Sequence, residues 1–121
     1  MAERTILIVD DSPTELTLTK RALQSRGFRI LTAVDGEDAL EKVEAERPDL
    51  ILLDVILPKK NGFQICRQLK TSPETRGIKV VLVTSKRLDS DRFWGLKQGA
   101  DEYLAKPFKD EDLLAAVARQ I

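Results

Sequence analysis

With 121 residues, 42% of them hydrophobic and 33% charged, the chain has room for one domain built on one continuous core. Its 20 basic and 20 acidic side chains cancel, which excludes a global field for nucleic acid or an anionic membrane, and no run of Lys and Arg makes a local basic patch. Histidine is absent, which excludes Ser-His-Asp and Cys-His catalysis, histidine-ligated metals and any phosphohistidine of the chain's own.

The N-terminus, Met1-Ala2-Glu3-Arg4, leads into no apolar stretch long enough for a signal peptide. Thr5 to Val9 reads as a buried strand, and like Leu50 to Leu53 it is far too short to span a bilayer, so a cytoplasmic location is expected. Asp10 and Asp11 follow that strand. Ser12-Pro13-Thr14-Glu15 then reads as a capping box, with Ser12 as N-cap, Pro13 at the first helical position and Glu15 reaching back. The first helix presents Leu16, Leu18, Ala22 and Leu23 to the core and stops at Gly27.

Arg29 to Ala33 is a weaker strand, expected near a sheet edge. Asp35-Gly36 opens a second helix that carries Ala39, Leu40 and Val43 and ends before Pro48. Leu50 to Leu53 forms the third strand, with Asp54 at its end. Gly62 begins the third helix, with Phe63, Ile65, Cys66 and Leu69 on its apolar face. Cys66, the lone cysteine, has no disulfide partner and no histidine base; it reads as a small, partly buried residue suited to a reducing cytosol.

Val80 to Val83 is the fourth strand, followed by Thr84-Ser85. Asp89 or Ser90 caps the fourth helix and Gly99 closes it. With Leu96 and Ala100 taken as inward-facing, Trp94 points away from the core and is a candidate partner contact. Glu102 to Leu104 is a second edge strand, followed by Lys106-Pro107. The fifth helix runs from about Asp110 and buries Leu113, Leu114 and Val117; Asp110 is its expected cap, because Lys109 stands where a hydroxyl would be expected.

Short apolar runs alternating with amphipathic stretches describe an α/β chain of the (βα)5 kind, one domain over residues 1–121, with no linker and no output domain after it. Five parallel strands favour a doubly wound, flavodoxin-like sheet of order 2-1-3-4-5. Ligands bind such sheets beyond the carboxyl ends of the strands, where the strand order reverses. That point lies between strands one and three, so Asp10, Asp11 and Asp54 are expected to meet there. Crowded carboxylates call for a cation, and their oxygens suit Mg²⁺. Thr84 and Ser85 offer hydroxyls to an oxyanion. Lys106 offers an ammonium, beside Pro107, whose ring can fix the loop through a cis bond. Together these groups read as phosphoryl transfer with a carboxylate nucleophile: Asp54 attacks, Mg²⁺ bridges, and Thr84 and Lys106 hold oxygens.

The motifs Ile-Leu-Ile-Val-Asp10-Asp11-Ser, Asp54-Val-Ile-Leu-Pro58 with Asn61-Gly62, Val-Thr84-Ser, and Gly99-Ala-Asp-Glu-Tyr-Leu-Ala-Lys106-Pro107-Phe108 resemble the CheY-like receiver domains of two-component systems. CheY itself has the 2-1-3-4-5 strand order. The resemblance implies that Asp54 is the phosphoacceptor. Asp11 and Asp54, with the backbone carbonyl of Ile56, then resemble the Mg²⁺ ligands, with Asp10 acting directly or through water. Lys106 resembles the lysine that contacts the phosphoryl group. Thr84 and Tyr103 match a coupled switch pair, in which the hydroxyl moves toward the phosphoryl oxygen and the ring turns inward.

The implied phosphodonor is a sensor histidine kinase, and the implied readout is the surface of helix four, strand five and helix five, which meets a downstream protein. The resemblance implies a monomer or a phosphorylation-dependent dimer that assists only its own phosphorylation and dephosphorylation. The charge balance and the short apolar runs add the expectation of no nucleic-acid partner and no membrane insertion. The stretch from Asp91 to Phe108 is similar to regulators of pilus-driven twitching and chemotaxis-like arrays. Ile56 and Lys86 depart from the better-known pattern, as both positions flank the expected phosphoryl group. Ile56 also stands where a haloacid-dehalogenase-like phosphatase needs its second aspartate. A phosphate sink for another regulator is the alternative role.

Overall fold

A strand whose every side chain is apolar is fully buried only when both faces of its sheet are covered. The computed structural model describes residues 3–121 and meets that condition with ten alternating elements. They are β1 (Thr5–Val9), α1 (Pro13–Gln24), β2 (Arg29–Ala33), α2 (Gly36–Glu46), β3 (Leu50–Asp54), α3 (Gly62–Thr71), β4 (Lys79–Thr84), α4 (Asp89–Lys97), β5 (Glu102–Ala105) and α5 (Asp110–Gln120). All strand pairs are parallel, in the order β2-β1-β3-β4-β5. This is the expected doubly wound sheet, with β2 and β5 at its edges. Among the described residues no helix is long and apolar enough to cross a membrane.

Strand alternation splits the core in two. Leu7, Val9, Ile51, Leu53, Val80 and Leu82 point one way and pack with Ala39, Val43, Ile65, Cys66 and Leu69 of α2 and α3. Ile6, Ile8, Leu50, Leu52, Val81 and Val83 point the other way, onto Leu23 of α1 and Leu113 and Val117 of α5. Cys66 is fully buried, and burial pushes its thiol up to about 11, with Lys70 opposing and Asp101 adding. It is therefore an inert packing residue.

Several local expectations change. Leu18 is 59% exposed, because it lies about 200° around α1 from Leu16, on the far side of the helix. Leu114 is only half-buried, and Ala116 takes the inner place beside Leu113 and Val117. The α4 N-cap is Leu88 rather than Asp89 or Ser90, and the α5 N-cap is Lys109 rather than Asp110. In each case the aspartate at the third helical position does the capping. Asp91 accepts from the Leu88 N–H at 3.1 Å, and Asp112 from the Lys109 N–H at 3.1 Å. Such a contact satisfies an end donor without a capping hydroxyl.

Candidate functional site

The β1–β2 and β4–β5 ladders each run one residue past their strands, and this places the first site groups. The Asp10 N–H donates to the Ala33 carbonyl at 3.0 Å, and the Lys106 N–H donates to the Thr84 carbonyl at 2.7 Å. Asp54 is the last residue of β3, paired with Val83. Three strand ends therefore bring Asp10, Asp54 and Lys106 together. The Lys106 Nζ lies 3.1 Å from Asp10 Oδ2 and 3.1 Å from Asp54 Oδ2. Each aspartate uses its other oxygen to accept a main-chain N–H, from Ser12 at 2.9 Å and from Ile56 at 3.0 Å. The Lys106–Pro107 peptide is cis, as the sequence allowed.

A third carboxylate joins them. Asp11 is exposed and is not among the carboxylates whose oxygens meet. Glu15 reaches the lysine as well. Its Oε2 is 2.7 Å from Lys106 Nζ, and one oxygen from each of Asp10, Glu15 and Asp54 lies within 4.8 Å of the others. The expected capping box at α1 is thus half-made: Ser12 Oγ accepts from the Glu15 N–H at 3.4 Å, while the Glu15 carboxylate turns to the lysine and the Ser12 N–H goes to Asp10. Sequence reading missed Glu15 because its position satisfies the capping pattern equally well.

Burial raises the pKa of Asp54; the Ile56 N–H and Lys106 oppose that shift and Asp10 adds to it. Burial works against the Lys106 ammonium, but hydrogen bonds to Glu15 and Asp10 and the charge of Asp54 outweigh it and hold the lysine above its usual range. With all four groups ionised, three negative charges meet one positive charge, a net of −2. Closely set carboxylate oxygens in such a field are the donor set that Mg²⁺ takes. Ile56, whose carbonyl was expected to join them, presents a side chain 52% exposed at the rim of the site.

Thr84, at the end of β4, is fully buried, and the neighbouring Ser85 is exposed. The Thr84 Oγ1 accepts from the Lys86 N–H at 3.2 Å, while the Tyr103 hydroxyl donates to the Lys86 carbonyl at 2.8 Å. One residue's main chain is therefore held from both sides by the two members of the expected switch pair. Tyr103 is 3% exposed, with its ring already inside and the Arg92 guanidinium 5.6 Å from the ring centre. Burial pushes its phenol up to about 12, with Asp91 adding and Arg92 opposing, so it remains a donor across the neutral range.

Gly95 makes the room: a Cβ there would meet Tyr103 Cδ2 at 2.8 Å and Leu82 Cδ1 at 2.9 Å. Gly95 is thus the buried residue of α4, and Leu96, expected to face inward, is 44% exposed. Trp94 points outward as expected, 53% exposed beside Phe93 at 64%.

The family pattern described as the response regulator receiver domain matches residues 6–118. The chain is 44% identical to Protein PilH of Pseudomonas aeruginosa (strain PAO1) over 112 residues, which cover 93% of each protein. Two further relatives, 42% and 43% identical, are larger, and the chain spans only 46% and 25% of their length. Among solved structures, the chemotaxis protein CheY4 of Vibrio cholerae matches with a TM-score of 0.92 at 30% identity, over 99% of this chain and 100% of that one. The receiver domain of sensor histidine kinase PA1611 from Pseudomonas aeruginosa PAO1 matches with a TM-score of 0.89 at 34% identity, over 98% of both chains. That structure has a magnesium ion coordinated in its active site cleft.

Proposed function

The chain belongs to the response regulator receiver domain family, and we propose that it works as a two-component switch in which Asp54 accepts a phosphoryl group from the phosphohistidine of a sensor kinase. The observation that carries this reading is the meeting of Asp54, Asp10 and Lys106 at the switch point of the sheet, with both aspartates 3.1 Å from the ammonium. An Asp54 oxygen attacks phosphorus and forms a P–O bond while the P–N bond breaks, its electron pair leaving with the imidazole. The Ile56 N–H orients the Asp54 carboxylate. Lys106 balances charge on the transferred oxygens. Thr84 accepts from Lys86, which leaves its own proton free for a phosphoryl oxygen.

Asp10, Asp54, Asp11 and the Ile56 carbonyl would hold Mg²⁺, which would supply charge neutralisation there. The carboxylate oxygens of Asp10, Glu15 and Asp54, within 4.8 Å of one another, support its presence. The signal then leaves through α4, β5 and α5, where the exposed Phe93 and Trp94 suit a protein partner. Similarity to a chemotaxis protein supports a place in chemotaxis-like signalling. On this reading the chain catalyses only its own phosphorylation and dephosphorylation.

Intact mass after incubation with Mg²⁺ and a small acyl phosphate tests the reading. One added phosphoryl group on the parent and none on Asp54→Asn is the expected result. No gain on the parent, with no thermal shift in beryllofluoride, would mean a phosphorylation-independent binding module.

A further inference from the structure

An ammonium group has three protons to donate. In this structure all three are used, one each on Asp10, Glu15 and Asp54. A phosphoryl group arriving on Asp54 takes over the Asp54 contact and brings further oxygens, so Lys106 can serve more than one of them only if Asp10 or Glu15 gives way. Asp10 is poorly placed to do so: its side chain is 9% exposed, and its second oxygen is held by the Ser12 N–H. Releasing it would leave a buried charge with less compensation.

Glu15 differs on each count. Its side chain is 46% exposed, and its carboxylate makes no other hydrogen bond among the described residues. It also borders an open groove of about 480 Å³ between α1 and the start of α5, which leaves it in reach of water. Its contact with Lys106 is nevertheless the shortest of the three, at 2.7 Å against 3.1 Å for each aspartate. The most easily hydrated acid thus has the closest hold on the lysine.

Resting on the assignment of Asp54 as phosphoacceptor, we propose that Glu15 is a positioning residue: it holds the Lys106 ammonium on the α1 side of the cluster and has to release it before the lysine can serve more than one phosphoryl oxygen. Glu15 touches no reacting atom and acts through Lys106 alone. In the reaction with an acyl phosphate, an Asp54 oxygen forms the new P–O bond as the bond from phosphorus to the acyl oxygen breaks. The electron pair leaves with the carboxylate product, and the ammonium keeps its protons throughout.

Two variants separate hold from charge. Glu15→Gln keeps the reach and removes the charge, whereas Glu15→Asp keeps the charge and is one methylene short. At saturating Mg²⁺, both are expected to take up phosphoryl groups from acetyl phosphate faster than the parent, by about two- to fivefold, on the scale of one weakened ion pair. A simple role at the helix N-terminus would not depend on Lys106, so the decisive measurement repeats Glu15→Gln in a Lys106→Met background, where the gain should vanish. Rates at or below the parent's for both variants would overturn the proposal, as would a gain that persists without the lysine. A parent that takes up no phosphoryl group at all would instead overturn the Asp54 assignment beneath it.

Discussion

Two lysines, Lys70 and Lys106, sit at opposite ends of the parallel strands, each with three acceptors around its ammonium. Lys70, in the last turn of α3, pairs with Asp101 at 2.8 Å and donates to the carbonyls of Ile78 at 2.8 Å and Arg76 at 3.2 Å. Asp101 in turn accepts the Val80 N–H at 2.8 Å, so one neutral pair ties α3, β4 and the entry to β5 together. Lys106 has the same number of contacts, but every acceptor is a carboxylate. Charge, rather than geometry, separates the two. A lysine matched to one carboxylate and two carbonyls is a finished structural joint, and one facing three carboxylates leaves a field that still calls for a cation.

The largest effect expected from this contrast is on stability. Lys70→Met leaves Asp101, partly exposed, without its charge partner and should cost about 2 kcal/mol, the scale of one lost charge-assisted hydrogen bond. Millimolar Mg²⁺ should restore none of it. Lys106→Met should also destabilise the fold in chelator, because three carboxylates then face each other, but Mg²⁺ should restore most of that loss. Urea melts of both variants with and without the ion give the comparison. Rescue of Lys70→Met by Mg²⁺ would erase the distinction.

Gly95→Ala comes next. The added methyl meets Tyr103 and Leu82 below 3.0 Å, an overpacking expected to cost about 1–3 kcal/mol. It should also drive the ring outward and break the hydroxyl contact to Lys86, which NMR of the labelled tyrosine would show. Phosphoryl uptake at Asp54 should survive, because the site's own contacts are untouched.

The smallest effect is in pH dependence. Asp54 binds its proton more tightly in the fold than in the unfolded chain, chiefly because it is buried. Its contribution to stability is therefore full below the ordinary carboxylate pKa and is lost as pH rises through the raised one. In chelator, the parent should lose stability relative to Asp54→Asn across that acidic window. A difference that is flat with pH would place Asp54 in balance with Lys106, as Asp101 is with Lys70.

What could be read in advance follows the reach of each interaction. The apolar runs of β1, β3 and β4 disclosed the sheet because nothing else keeps such runs dry, and the sheet then placed Asp10, Asp54, Thr84 and Lys106 at its carboxyl end. Glu15 was hidden because one residue can serve a helix end or a lysine 91 positions away, and only the fold decides. The same holds for Lys70 and Asp101, whose pairing leaves no local trace. On α4, reading Leu96 as buried failed because a glycine, Gly95, packs closest to the sheet: the absence of a side chain, rather than its greasiness, set the contact.

The double hold on Lys86 has a consequence for substitution there. Thr84 and Tyr103 grip its N–H and its carbonyl, while its side chain stands in solvent. The link between the two residues thus runs through the main chain and uses none of the Lys86 side chain; proline alone would break it, since proline has no N–H to give.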